Sequence, residues 1–420
     1  MSMAVLSLVF LFFAIACGYF LKTNTGFLAI ALAVIIGSMG NMGSNDIIKG
    51  FSGSLFIMML GVNYLFSISL QNGTLDLVAR KIVSLAGKHT NLIPIIVFFI
   101  AAVLAGVGPG TVPVMALMAV FTMALAASMK INPVMLAAIA LLGAQGGGLT
   151  PMAPTGILCA QLASAAGFKT GITEPVMVYQ FVASLLYATL LYFVFGGYKI
   201  KQAENDETLK NLASFNKAQL ITIAGMVFMV ILFLGFKVNA GLAAFLAAAI
   251  IMFFKVADEK KAIAGVPWGT LLLVTGVNVL MNVVIKLGGI KLLSGALATI
   301  MTPTTATPII GLTAGIMSWF SSTSGVVMPT LIPTVAELIN AIGGDISPAS
   351  LISAIVITAH TAGCSPLSTG GALALAAYCS NTNATGEEQQ KLFIKMFAVA
   401  VGGVVFMVGY AFLGGFYWFK

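Results

Sequence analysis

Residues 91–129, NLIPIIVFFIAAVLAGVGPGTVPVMALMAVFTMALAASM, contain no charged side chain, and Gly108-Pro109-Gly110-Thr111 stands at their centre. Each flank is long and apolar enough for a helix. No helix runs through Gly-Pro-Gly, because proline lacks the amide hydrogen and clashes with the preceding turn. A turn lying in water beside a membrane collects interfacial anchors such as Lys or Trp, and none occurs here. The stretch therefore reads as a re-entrant hairpin whose tip stops inside the membrane. The plainer alternative is two ordinary spans joined by a tight external turn. Backbone at membrane depth is tolerated only where it is buried in protein or lines a wet cavity, so the tip is a candidate site.

Of the 420 residues, 60% are hydrophobic and 8% charged, which makes the chain an all-α integral membrane protein with room for about ten spans. The first apolar run, residues 3–21, has no basic stretch before it and no small-residue cleavage site, so it reads as a retained span. The net charge of +8 suits loop lysines facing anionic lipid and is no argument for nucleic acid. Cys17, Cys159, Cys364 and Cys379 stand at no metal-binding spacing and read as buried free thiols.

Further spans are expected at 26–42 and 51–70, then an amphipathic interfacial piece at 72–88. After the hairpin, residues 133–167 are uncharged but interrupted by Gly146-Gly147-Gly148-Leu149-Thr150-Pro151 and by Pro154. Gly and Pro at that density predict two half-helices joined by extended chain. A span at 177–195 closes this half, and 199–217 is the one long polar loop. The expected organisation is a first unit at 1–198 (scaffold helices 3–70, transport elements 91–197) and a linker at 199–217. A second unit follows at 218–420 (scaffold helices 218–286, transport elements 292–418).

The second unit repeats the first. Gly61-Val62-Asn63 matches Gly276-Val277-Asn278 at an offset of 276 − 61 = 215, and Asn24 and Gly26 match Asn239 and Gly241 at the same offset. Gln145 and Thr150-Pro151 match His360 and Ser365-Pro366. A second uncharged run, 292–336, carries Ser321-Ser322-Thr323-Ser324 at its centre. Five crossings plus a hairpin that returns to its own side give an odd count per half. The two five-helix repeats are therefore expected to be inverted, the plan of secondary transporters with a midplane site between broken helices. Loop lysines favour both termini outside and the linker in the cytoplasm, in a cell (inner) membrane.

Four chain breaks are thus expected to converge. Their half-helix N-termini suit a carboxylate, and their carbonyls and hydroxyls suit a small cation. Gly110, Thr111, Pro151, Thr155, Ser322, Thr323, Ser324, Ser368 and Thr369 are the expected substrate contacts. Gly108, Thr150, Ser321, Thr323 and Ser365 are the expected oxygen ligands of a sodium ion. No cofactor beyond that ion is expected. The plainer reading of each Ser or Thr is interhelical hydrogen bonding. His360 either relays a proton or holds a helix break, and Asn63 and Asn278 read as interhelical bonds more than as ligands.

Paired hairpins, each followed by a broken Thr-Pro or Ser-Pro helix, resemble the ion-transporter superfamily of divalent-anion–sodium symporters. The Gly-rich, apolar character looks most like its malonate/C4-dicarboxylate carrier (MatC-type) branch. That resemblance implies a small dicarboxylate substrate, sodium coupling, a homodimer, and a mobile transport domain moving as an elevator against a fixed scaffold. The family's hairpin tips carry Ser-Asn-Thr. Here both asparagines are missing; the second tip keeps Ser321 and Thr323, and the first keeps only Thr111.

Other classes fit less well. A proton antiporter usually needs an intramembrane carboxylate, and every Asp and Glu here falls in a loop or at a span end. An intramembrane serine hydrolase with Ser324 and His360 would need the two within hydrogen-bond reach. The repeat explains the Ser324 hairpin without catalysis.

Overall fold

The computed structural model describes residues 2–21, 23–84, 89–168, 171–200, 212–382 and 386–418, and every regular element among them is helical. Most of the expected linker, 201–211, lies outside the described residues. The first half comprises α1 (Met3–Leu21), α2 (Thr25–Met39), the short α3 (Ser44–Ile48), α4 (Gly53–Gln71) and α5 (Thr74–Ser84). Two arms follow, α6 (Ile93–Val107) and α7 (Thr111–Met129), then α8 (Pro133–Gly147), α9 (Pro154–Ala165) and α10 (Thr173–Val194). The second half comprises α11 (Lys217–Phe236), α12 (Ala240–Phe253), α13 (Glu259–Ala264), α14 (Trp268–Lys286) and α15 (Gly289–Ala298). Then come α16 (Ala306–Trp319), a π turn (Thr323–Val327), α17 (Met328–Leu331), α18 (Val335–Ile342), α19 (Pro348–Ala362), α20 (Thr369–Thr382) and α21 (Gly386–Phe412).

Element boundaries repeat at the offset read from the motifs. α8 and α19 are both 15 residues long and start 348 − 133 = 215 positions apart. α4 and α14 start 268 − 53 = 215 apart, and even the short α3 and α13 start 259 − 44 = 215 apart. Local chemistry explains the shared starts. Asn132 and Ser347 cap α8 and α19 with their side chains, each followed by a proline, whose missing amide hydrogen costs nothing in the first turn. Asn24 and Asn239 cap α2 and α12 in the same way.

Packing is reciprocal between halves. α2 lies on α14 and α12 on α4, while α6 lies on α8 and α16 on α19. α10 and α21 flank the broken helices, each touching both α8 and α19. Among the described residues, seven helical segments reach membrane-crossing length and apolarity, and shorter apolar helices run 10–17 residues. α7, α8, α16, α19 and α20 belong to that shorter set together with α1, α2, α12 and α15, whereas α6 and the segment Thr323–Ile342 are among the longer ones.

Two expectations are refined. The run 292–336 is not one hairpin: α15 is a separate amphipathic helix, the counterpart of α5, and the arm begins only at Ala306. Pro303 keeps the connection out of helix, and within it the Thr302 amide donates to Thr305 Oγ1 and the Thr305 amide to Thr302 Oγ1, at 2.9 and 3.3 Å. The returning arm is a π turn, α17, a 3-10 turn and α18 in succession, because Pro329 and Pro333 each remove a backbone donor. Of the cysteines, Cys159 and Cys364 are buried and free, whereas Cys17 and Cys379 are only half-buried. Lys286, at the end of α14, pairs with Asp46 at 3.6 Å across the fold.

Candidate functional site

Each hairpin turn is tied to the break of the following helix. At the first turn Gly110 adopts φ +76°, and a Cβ there would lie 2.7 Å from Pro154 Cδ. Only glycine suits both the left-handed backbone and the close approach. Thr111 opens α7 and its hydroxyl lies 3.3 Å from that of Thr155, in the first turn of α9. The Thr150 hydroxyl donates to the Gly106 carbonyl at 2.5 Å. Gly108 is buried with its Cα facing the Phe66 ring.

The second turn is richer in oxygen. Ser318 and Thr323 both donate to the Ala359 carbonyl, at 2.7 and 3.0 Å, and lie 2.9 Å from each other. Ser365 donates to the Trp319 carbonyl at 2.9 Å, and Ser368 to the Ser321 carbonyl at 2.8 Å. Ser321 turns its own hydroxyl back to Met317, and Ser322 accepts from the Gly325 amide as a cap. A hydroxyl that spends its proton on a carbonyl keeps its oxygen lone pairs for another partner.

Thr111, Thr155, Ser322, Thr323, Ser324, Ser368 and Thr369 line one cavity of about 30 Å³, together with Gln145 and His360. The structure thus brings together most of the expected substrate contacts. Gly110 packs against Pro154 instead, and Pro151 is exposed and lines none of the cavities described. Ser321, Thr323 and Ser365 share the oxygen-rich second turn, while Thr150 sits at the first break and Gly108 in the first turn. Among the described residues, no Asp, Glu, Lys or Arg lines the cavity. Its polarity comes from hydroxyls, one amide, one imidazole and the amino ends of α7 and α20.

Three residues there were not singled out as ligands by sequence reasoning. Ser318 is wholly buried beside Thr323, and its signal was a lone hydroxyl one turn before the tip. Gln180 of α10, also buried, meets His360: the Nδ1 atom lies 2.9 Å from Gln180 Oε1. Gln145 is wholly buried with neither amide atom hydrogen-bonded among the described residues. Asn63 bonds its own helix, donating to the Met59 carbonyl at 2.7 Å, so it is not the interhelical link expected of it.

Larger openings flank the cavity. One of about 770 Å³ shares Ser322, Ser368 and Thr369 with it and runs past Phe320 and Leu367 to the loop joining α1 and α2. Another, of about 560 Å³, is lined by Lys49, Gln161, Asn278, Lys291 and Glu337 and touches neither turn.

The whole helical fold is similar to the crystal structure of the Alcanivorax borkumensis YdaH transporter, described as having an unusual topology. The likeness covers 89% of this chain and 88% of that one, with a TM-score of 0.60 and 14% identity. Residues 1–148 match the family model described as the dicarboxylate carrier protein MatC N-terminus. That match spans α1 to α8 and includes Gln145. No curated protein matches the chain.

Proposed function

We propose that the protein is a secondary active carrier of small dicarboxylates. The observation that carries this is the meeting of both hairpin turns and both helix breaks around one charge-free, hydroxyl-lined cavity. Amide N–H groups at helix starts and hydroxyls hold carboxylates without a fixed cation. The match of residues 1–148 to a dicarboxylate carrier family supports the substrate class and favours a carrier over a hydrolase.

The reciprocal packing and constant offset support two inverted repeats in the membrane, each with a re-entrant hairpin. With both termini outside, the 770 Å³ opening faces the cytoplasm and the 560 Å³ crevice faces outward. Only the first reaches the turns, which suits an inward-open state of an elevator cycle. In this reading α2, α4, α12 and α14 form the scaffold of a homodimer, and the hairpins with the broken helices move. Sodium is the coupling ion, held at the second turn among Ser318, Thr323, Ser365 and the nearby carbonyls.

Uptake of labelled malonate, succinate and malate by proteoliposomes, with and without an inward sodium gradient, tests the reading. Sodium-stimulated uptake of at least one acid is expected. Absence of uptake for the whole panel would sink it.

A further inference from the structure

Gln145 and His360 hold equivalent places, in the last turns of α8 and α19, and both line the small cavity. Their hydrogen bonding differs. Gln180 donates its Nε2 to Ser184 Oγ at 2.8 Å, so its Oε1 accepts, and the neutral His360 ring carries its proton on Nδ1. That leaves His360 Nε2 as a bare acceptor on the cavity side, since α10 contributes nothing to the cavity wall. Gln145 offers the opposite: a buried amide whose Nε2 donors have no nitrogen or oxygen partner among the described residues and face only the Cys364 sulfur, a weak acceptor. Its Nε2 sits 3.6 Å from where a Cβ on Gly363 would be, one turn beyond His360.

The wall therefore offers a donor and an acceptor from equivalent helix turns, with no Lys or Arg among its described lining residues. A carboxylate only accepts hydrogen bonds. It satisfies Gln145 but meets a lone pair at His360 Nε2. A carboxylic acid group suits both, its carbonyl oxygen accepting from Gln145 and its O–H donating to His360. Resting on the carrier reading, we infer that Gln145 and His360 together bind one carboxyl group of the cargo in its protonated form, so that the carried species is the singly protonated dicarboxylate. The second, ionised carboxylate goes to the hydroxyls and amide N–H groups of the turns. The proton stays on the cargo throughout and crosses with it.

Surrounding groups offer no competing charge. The buried Cys364 thiol lies against Gln145 as a neutral, weak acceptor, and Tyr187 of α10 commits its hydroxyl to the Val399 carbonyl at 2.6 Å. Tyr179 of α10 and Tyr410 of α21 lie in an aromatic group with Phe416 and Trp418, and Glu337 of α18 lines the separate crevice. From α16 and the π turn the cavity side receives only hydroxyls.

The test uses the intact protein in proteoliposomes at saturating sodium. Initial uptake of labelled malonate or succinate is measured from weakly acidic to weakly alkaline pH. The half-amide and the half-methyl ester of the same acid are then compared as inhibitors at alkaline pH. A half-amide imitates the acid group, since its carbonyl accepts and its N–H donates, whereas the ester has no donor. The expected result is uptake that follows the concentration of the singly protonated species at every pH. The half-amide should inhibit about tenfold more strongly than the ester, the worth of one hydrogen bond. In His360→Leu that advantage should shrink, whereas Gln145→Leu should weaken amide and ester alike. Uptake that follows the dianion, or equal inhibition by amide and ester in the unaltered protein, overturns the inference while leaving the carrier reading intact. Failure of every dicarboxylate to enter would instead overturn the carrier reading.

Discussion

Gly276 of α14 crosses Gly26 of α2 so closely that a Cβ on Gly276 would lie 2.3 Å from the Gly26 carbonyl oxygen. The counterpart crossing is as tight: a Cβ on Gly61 of α4 would lie 2.2 Å from the carbonyl oxygen of Gly241 on α12. Small residues let helix backbones approach in an apolar medium, where dispersion and close packing drive association. The four glycines are thus two copies of one contact, which explains why they stand out at a constant offset in the sequence.

Gly276→Ala and Gly61→Ala should therefore each destabilise the fold, by about 1–3 kcal/mol, because the obstructing atoms are backbone and cannot swing aside. Thermal unfolding in detergent reads this directly. Gly295→Ala, inside α15 where a Cβ meets open space, is the control and should not lower the transition, since alanine favours the helix over glycine. Equal transitions for all three would show that the crossings are looser than described.

The first hairpin was legible because Gly-Pro-Gly stops a helix whatever surrounds it, and Thr150-Pro151 marked a break for the same reason. The second returning arm was not. Its π turn forms where Gly325 sits under Leu273 of α14, with a Cβ position only 2.3 Å from that side chain, a long-range constraint that chain-local chemistry does not announce. Pro151 was placed in the site because it belongs to the break, yet only part of an extended segment faces any one side. Ser318 and Gln180 read as polar residues inside apolar helices, and their role depends on which helices meet.

The oxygen cluster of the second turn gives a coupling prediction. Thr323 touches Ser318 Oγ and the Ala359 carbonyl at once, so Thr323→Val removes a candidate ligand from the densest part of the cluster. Sodium activation of uptake should need roughly tenfold more sodium, as for the loss of one contact of about 1–1.5 kcal/mol. Ser321→Ala should raise the sodium requirement in the same direction. Unchanged sodium activation in both variants would remove the ion from this turn.

Orientation is checked by accessibility. With the four native cysteines replaced, single cysteines at Ser2 and at the exposed Ser214 should label from opposite sides with an impermeant thiol reagent: Ser2 from outside, Ser214 from the cytoplasm. Labelling of both from one side would contradict an odd number of crossings between them and with it the inverted arrangement.

The last prediction concerns which opening leads to the site. Thr369 is exposed in the 770 Å³ opening and also lines the inner cavity, whereas Gln161 lines only the 560 Å³ crevice among the cavities described. In the inward-open state a cysteine at Thr369 should react with a hydrophilic thiol reagent applied from the cytoplasmic side, and malonate or succinate should slow that reaction. A cysteine at Gln161 should react from outside, without direct protection by the acid. In the proposed elevator cycle α9 and α20 travel together with the hairpins, which would couple the two sites. Bringing the carrier to its outward-open state should thus slow modification at Thr369 and change the rate at Gln161 in the same experiment. A reversed pattern of sidedness would invert the proposed topology. Rates that ignore both sodium and substrate would mean that the two openings are fixed features of a rigid protein.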